Sequence, residues 1–393
     1  MNRQDFPIFK NNPNLVYLDN ANTTMKPKSV IAAVTDYYTK YCANTGRTSY
    51  KNSELATKNF AASRQVVAKF IGAKTNEISF TYSATYAINQ IAHSLYKTIK
   101  SSDVILLTRH EHNSNLLPWI NVAENAGAKL CYIDDFSNTD LKRLINKVKI
   151  FSYSTVSNLT GQSYDYSKVN RQIRQAGGYV LVDVNQLIGH QTINIDKLGC
   201  DFLVFSAHKL YGPSGVGVLY ARKATTTKLS PLVYGSQTFQ HLSDKNFTLV
   251  EGPQKFEPGT ANIEGVIGLG KAIEYLSNIG LKNIALYELD LKQYLLEKAA
   301  HLDLDKYLVK NNGQHIALFN HPLIHPHDIA NLLDSRYHIA VRAGKCCNDL
   351  NSAKMHLATG AVRVSWSFYN TKKDIAKFLS AYKEIIELLK VNE

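Results

Sequence analysis

Between residues 75 and 222, short apolar runs alternate with amphipathic stretches. The runs EISFTY, VILLTR, KLCYID, IFSYST, YVLVDV, DFLVFS and VGVLYA are rich in β-branched and aromatic residues and are bounded by polar or glycine-containing segments, as buried strands are. Helical patterns lie between several of them. YDYSKVNRQIRQAGG places Val169, Ile173 and Ala176 on one face and has a stop at Gly177-Gly178. Fully apolar strands separated by helices predict a mostly parallel, seven-stranded sheet covered on both faces, with ligand chemistry at the carboxyl ends of its strands.

A polar, poorly periodic stretch follows over 230–260, and NIEGVIGLGKAIEYLSNIG then reads as a long helix. Beyond it the pattern changes to helices (LYELDLKQYLLEKAAH, KDIAKFLSAYKEIIELLK) mixed with a few strands (HIALFN, IAVRA, AVRVSWS). The expectation is an α/β protein with a large domain over 15–278 and a smaller α+β domain over 279–393, to which residues 1–14 are added.

Composition narrows the class. The 393 residues are 45% hydrophobic and 20% charged, which fits a globular chain and excludes a disordered or collagen-like one. The opening MNRQDFPIFKNNPN lacks the apolar core of a signal peptide, and no run is long enough to cross a membrane, so a cytoplasmic protein is expected. Cys42, Cys131, Cys200, Cys346 and Cys347 form no C-x-x-C pair, which suits a reducing compartment. The formal charge of +13 comes from scattered lysines, densest at Lys372-Lys373 and over Lys142 to Lys149. Without a nucleic-acid motif it reads as a solvated surface, and neither nucleic acid nor membrane is expected as a partner.

The chemistry-bearing residues sit where strands end. DFLVFS runs directly into AHKLYGPSGVG, placing Ser206, His208 and Lys209 in the turn, with glycines that permit close approach of a ligand. YVLVDVNQ puts Asp183 and Gln186 at the end of another strand, where a carboxylate needs a partner. Taken alone, Asp183 and Lys209 read first as a plain ion pair.

The order of motifs resembles the class V aminotransferase family, and within it the SUF-type cysteine desulfurases. YLDNANTTMKP, RHEHNSNLLPW, TVSNLTGQ, VLVDVNQ, FSAHKLYGPSGVGVLY and FEPGTANIEGVIGLG are each similar to a family segment, and they come in the family's order. The resemblance implies the fold type I of pyridoxal 5'-phosphate enzymes and a homodimer. It makes Lys209 the lysine that bonds the cofactor aldehyde and moves the substrate Cα proton. Asp183 would face the pyridine nitrogen, His112 would stack on the ring, and Asn158 and Gln186 would bond around the ring hydroxyl. Ala84, Thr85, Ser206 and His208 would hold the phosphate, with Thr260 reaching the phosphate of the neighbouring subunit. Arg363, in AVRVSWSFYNT, would bind the substrate carboxylate with Asn158 nearby.

The family's nucleophile lies in R-x-G-H-H-C. The frame here reads Arg342, Ala343, Gly344, Lys345, Cys346, Cys347, which aligns Cys347 with it. The implied reaction converts L-cysteine to L-alanine and leaves a persulfide on Cys347, feeding iron–sulfur assembly or another thiol acceptor. Cys346 and Lys345 replace two family histidines, so Cys346 remains a rival nucleophile or resolving thiol. Tyr50 stands at a third usual histidine, and the polar NDLNSAK replaces an apolar segment. His321, His325 and His327 have no cysteine or carboxylate partner in sequence and make a weak zinc signature, so no metal is expected. The resemblance instead gives His327 a docking role toward a zinc-bearing, SufU-like acceptor. The alternatives are a selenocysteine lyase or another class V enzyme on the same scaffold, and a non-catalytic sulfur carrier.

Overall fold

The computed structural model describes residues 3–46, 49–135, 137–309 and 313–390. The seven apolar runs are strands: β1 (Ile78–Thr81), β2 (Val104–Leu107), β3 (Lys129–Tyr132), β4 (Val148–Ser154), β5 (Tyr179–Asp183), β6 (Phe202–Ser206) and β7 (Gly217–Ala221). Among the described residues they assemble into one seven-stranded sheet in the order β1-β7-β6-β5-β4-β2-β3, with β7 alone reversed. Alternation within each run divides it between two cores. Leu106, Phe151, Val182 and Leu203 pack on one face, and Ile105, Ile150, Leu181 and Val204 on the other.

The helix expected after residue 163 spans Ser167–Gln175 and stops, as read, at Gly177, whose φ is +88°. Its buried residues are Asn170 and Ile173 rather than the all-apolar face expected. Asn170 is tolerated inside because its Nδ2 donates to Tyr153 Oη and Leu198 O. The polar stretch over 230–260 contains a hairpin, Phe239–Leu242 with Phe247–Leu249, that the pattern did not predict. Most of its residues are exposed, so burial never imposed an alternation.

Helix α1 (Ala84–Tyr96) follows β1 and packs on β6 and β7. Helix α2 (Ile263–Ile279) is the predicted long helix, and α3 (Leu281–His301) continues from it after Gly280. Beyond α3, Ile316–Phe319, Arg342–Gly344 and Ala361–Ser365 form a three-stranded antiparallel sheet with Ala361–Ser365 in the centre. Its core includes Leu291 and Leu295 of α3, Phe319, Val362 and Val364, and Phe378 and Tyr382 of the closing helix Lys372–Lys390. The N-terminal segment bridges the two parts. Phe6 packs on Tyr211, Phe368 and Tyr369, and Val16–Tyr17 pairs in parallel with Ile339–Ala340.

Candidate active site

The carboxyl ends of β4, β5 and β6 and the turn after β1 open onto a cavity of about 180 Å³. Lys209, Asp183, Gln186, His112 and Asn158 line it, as do Ala84, Thr85, Ser206 and His208, so residues far apart in sequence share one space. Register explains part of this convergence. Ser154 pairs with Asp183, so β4 and β5 end level; Asp183 pairs with Val204, so β6 runs on to Ser206, which pairs with Gly217 where β7 begins.

Lys209 closes the one-turn helix Ala207–Lys209. Burial pushes its amine down to about 8; Asp183 opposes the shift and Arg363 adds to it. A lysine near 8 offers a neutral, nucleophilic amine close to neutral pH. Asp183 is pushed upward by burial, countered by Asn185 and by Lys209. Both bonds from Asn185, from its backbone N at 2.8 Å and its Nδ2 at 2.7 Å, fall on Asp183 Oδ1, while the carboxylate lines the cavity. Such a group favours a cationic ligand atom beside it.

The opposite end suits an anion. Ser83 caps α1 by accepting from Tyr86 N at 3.1 Å, and Ala84 N donates to Ser206 Oγ at 2.9 Å. Thr85 Oγ1 donates to Ser114 Oγ at 2.9 Å. These hydroxyls surround a helix N-terminus that carries the positive end of the helix dipole. Gly217 is required for this proximity, because a Cβ there would stand 2.4 Å from the backbone carbon of Ser83. His112 accepts from Ser114 N through Nδ1 at 3.1 Å, which leaves the ring proton on Nε2. Burial, with Lys209 and Arg363, pushes His112 down to about 4, and burial with Lys209 and Lys26 does the same to His208. Both imidazoles are neutral at neutral pH.

An amine able to attack an aldehyde, a carboxylate for a protonated ring nitrogen and a helix N-terminus for a phosphate thus lie around one cavity. That donor set fits pyridoxal 5'-phosphate.

Gln186 donates from Nε2 to Ala21 O at 2.8 Å while lining the cavity. Arg363 is 3% exposed and lies outside the lining residues. Its Nη2 donates to Asp19 Oδ1 at 3.0 Å and its Nη1 to Asn158 O at 2.7 Å, while its buried Nε has no partner. Thr260 is exposed and lines a separate cavity with Tyr82, Tyr86 and Pro258.

The adjacent cysteines differ sharply. Cys347 is exposed, whereas Cys346 packs with Leu159, Leu318, Leu357 and Ala361, and burial pushes its thiol upward. Those apolar neighbours, with Gly344 O 3.6 Å from Sγ, surround the Cys346 thiol as a core side chain is surrounded. Gly344, at φ +96°, turns the chain toward the pair. Lys345 lies 3.9 Å from Asp349 in an exposed ion pair. Tyr50 is exposed and does not line the cavity, and Arg47 and Thr48 in its motif lie outside the described residues.

The three histidines of HPLIHPH do not converge as ligands. His321 is buried and accepts from Leu323 N and Ile324 N, while His325 and His327 are exposed with ring centroids 5.4 Å apart. Among the described residues, the metal-ligand types that do gather are His190, Glu288 and His315. There His190 Nδ1 already bonds the Glu288 carboxylate at 2.8 Å, and the two imidazoles stack at 3.7 Å with nearly parallel planes. Their in-plane lone pairs therefore do not aim at a common point.

Several lining residues escaped the sequence reading, including Asn22, Asn185, Ser114 and Ser154. Asn22 and Asn185 sit inside motifs already singled out. Glu111, beside His112, is fully buried behind the cavity. It accepts from Thr108 Oγ1, from Asn115 Nδ2 at 2.7 Å, and from Ser154 N and Oγ at 2.9 and 2.6 Å, while burial pushes it up to about 7. A charged residue between two histidines was its only signal.

Fold and site together define a fold type I pyridoxal-phosphate enzyme. A family model described as Aminotransferase class-V matches residues 16–378, and the chain belongs to that family. It is 36% identical over 399 residues to a probable cysteine desulfurase of Pyrococcus abyssi, covering 100% of this chain and 98% of that one. It is 38% identical over 393 residues to another of Halalkalibacterium halodurans, covering 96% of each. The apo structure of a cysteine desulfurase from Thermococcus onnurineus superposes with a TM-score of 0.91 at 35% identity, covering 98% of this chain and 97% of that one. The cysteine desulfurase CsdA of Escherichia coli gives 0.88 at 30% identity, covering 98% of each.

Proposed function

We propose that the protein is a pyridoxal-phosphate-dependent cysteine desulfurase that converts L-cysteine to L-alanine and leaves a persulfide on Cys347. The observation that carries this reading is an exposed cysteine tied to the turn that carries His112, which lines the cavity of a buried lysine. Asn113, next to the cavity-lining His112, donates its backbone N–H to Cys347 O at 2.8 Å.

The bound cofactor supplies the electron sink for the pair released at the substrate Cα. Lys209 takes and returns the Cα proton, its neutral form being accessible because burial has lowered it. Arg363, fixed by Asp19 and Asn158, orients the substrate carboxylate. Cys347 thiolate attacks the substrate sulfur. The S–S bond forms as the C–S bond breaks, and the electron pair of that bond returns to Cβ, which is protonated to give alanine. Formation of alanine from L-cysteine by the cofactor-loaded protein is the test.

The lowered amine has its own signature. The neutral fraction of Lys209 grows roughly tenfold per pH unit below its pKa and is complete above it. Capture of pyridoxal phosphate by the cofactor-free protein, followed by absorbance, is therefore expected to quicken up to about pH 8 and then level off. A rate that keeps climbing beyond about pH 9.5, as an ordinary lysine requires, contradicts this assignment.

The same reading makes the protein a cytoplasmic homodimer. Thr260 of each subunit would reach the partner's phosphate site, which agrees with its exposure away from its own cavity. Sulfur passes to a thiol acceptor, such as a SufU-like scaffold, for iron–sulfur assembly. His327 supports docking there: it is exposed, and its Nε2 lies 3.2 Å from where a Cβ on Gly344 would stand, which places it beside the thiol loop. With a zinc-bearing acceptor, His327→Ala is expected to lower sulfur transfer about tenfold while alanine formation without acceptor holds. Equal transfer by both proteins removes the role.

A further inference from the structure

The segment after the thiol is polar where the family pattern is apolar, and the structure gives that polarity a use. Asn348, immediately after Cys347, is 0% exposed. Its Nδ2 donates to His110 O at 2.9 Å and to Asn158 Oδ1 at 2.8 Å. Asn158 in turn donates from Nδ2 to Cys346 O at 2.7 Å. On the other flank, Asn113 N holds Cys347 O, and Asn113 Nδ2 donates to Asp349 Oδ2 at 2.8 Å. Residues from Cys346 through Asp349 are thus tied by asparagine amides to the two turns that carry His112 and Asn158. Both cysteines have left-handed backbones, with φ of 54° and 55°, a conformation that side chains with a Cβ resist and that neighbouring contacts must hold.

We propose that Asn348 is a positioning residue for the thiol, the buried centre of an asparagine clasp that fixes Cys347 at the mouth of the cavity. The proposal rests on the desulfurase reading, since it concerns the group that takes the sulfur. Near-attack geometry is sensitive to displacements of about 1 Å. A side chain that donates to two oxygens of the large sheet's loops prevents such drift without touching substrate or cofactor.

Asn348→Leu, similar in volume and without donors, and Asn348→Ser, shorter with one donor, test this in the cofactor-loaded protein. Three quantities are read: kcat and KM for alanine formation, the absorbance of bound cofactor, and the rate at which iodoacetamide alkylates Cys347, located by peptide mass. For Asn348→Leu the expectation is a kcat lowered about tenfold to a hundredfold, with KM within about twofold, cofactor absorbance retained and Cys347 alkylation faster. Asn348→Ser should fall between it and wild type. The clasp is refuted by an unchanged kcat, or by a kcat that falls only together with bound cofactor while alkylation stays at the wild-type rate. If Asn348→Leu does not fold, Asn348→Ser is judged by the same criteria. A wild-type protein that forms no alanine refutes the desulfurase reading instead. The alkylation rates still decide the clasp, which equal rates in all three proteins would overturn.

Discussion

Replacing Lys209 with alanine is expected to lower alanine formation roughly a thousandfold or more, since a positioned acid–base group alone contributes about 10² to 10⁴. The variant also loses the covalent attachment of the cofactor. Borohydride treatment should fix pyridoxal phosphate to the Lys209 peptide in wild type and leave that peptide unmodified in the variant. Folding is expected to survive, because the buried amine is itself disfavoured in its charged form. Its neighbours are held independently: Asp183 by Asn185, Ser206 by Ala84 N and Asn185 Oδ1. A variant that retains more than about a tenth of wild-type turnover would mean that another group moves the Cα proton.

The second large effect belongs to Cys347→Ser. A serine hydroxyl keeps the shape but is not ionised near neutral pH, and losing a nucleophile costs on the order of 10³-fold or more in turnover. Cofactor binding should be unaffected, since Cys347 is exposed and outside the cavity lining. Cys346→Ser is the control. Its thiol sits among Leu159, Leu318 and Leu357 with Gly344 O 3.6 Å away, a distance the shorter hydroxyl bridges poorly, so the serine lowers stability by about 1–3 kcal/mol. It should leave the persulfide-forming step in place. Alanine formation that persists in Cys347→Ser would point to a lyase or transaminase that does not use this thiol.

Much of the fold was legible because burial wrote it into the chain. Strands covered on both faces are largely apolar, so most of the seven runs stood out, the edge strand β3 less so because Lys129 is exposed, and the strand ends with the turn that follows marked Asp183, Ser206 and Lys209. The exposed hairpin at Phe239–Leu249 carried no such imprint. Within the site, what the sequence could not show was which atoms are already engaged. Arg363 reads as a free carboxylate binder but is tied to Asp19, and Gln186 holds Ala21 O. Glu111 passes unmarked between two histidines, yet it is buried with hydrogen-bond donors from β4 and from residues on both sides of it. The two cysteines are neighbours with opposite surroundings, one buried and one exposed, and both sit in left-handed backbone. Backbone geometry of that kind leaves no pattern in residue type.

Whether a buried lysine and an exposed Cys347 together take sulfur from L-cysteine is decided by one mass measurement. Cofactor-loaded protein is incubated with L-cysteine, alkylated without reductant and digested, and the peptide carrying Cys346 and Cys347 is sequenced by fragmentation. One added sulfur atom on Cys347, in step with alanine, is expected in wild type and Cys346→Ser and none in Cys347→Ser. Alanine formed with no sulfur on Cys347, or sulfur carried on Cys346 instead, would contradict it.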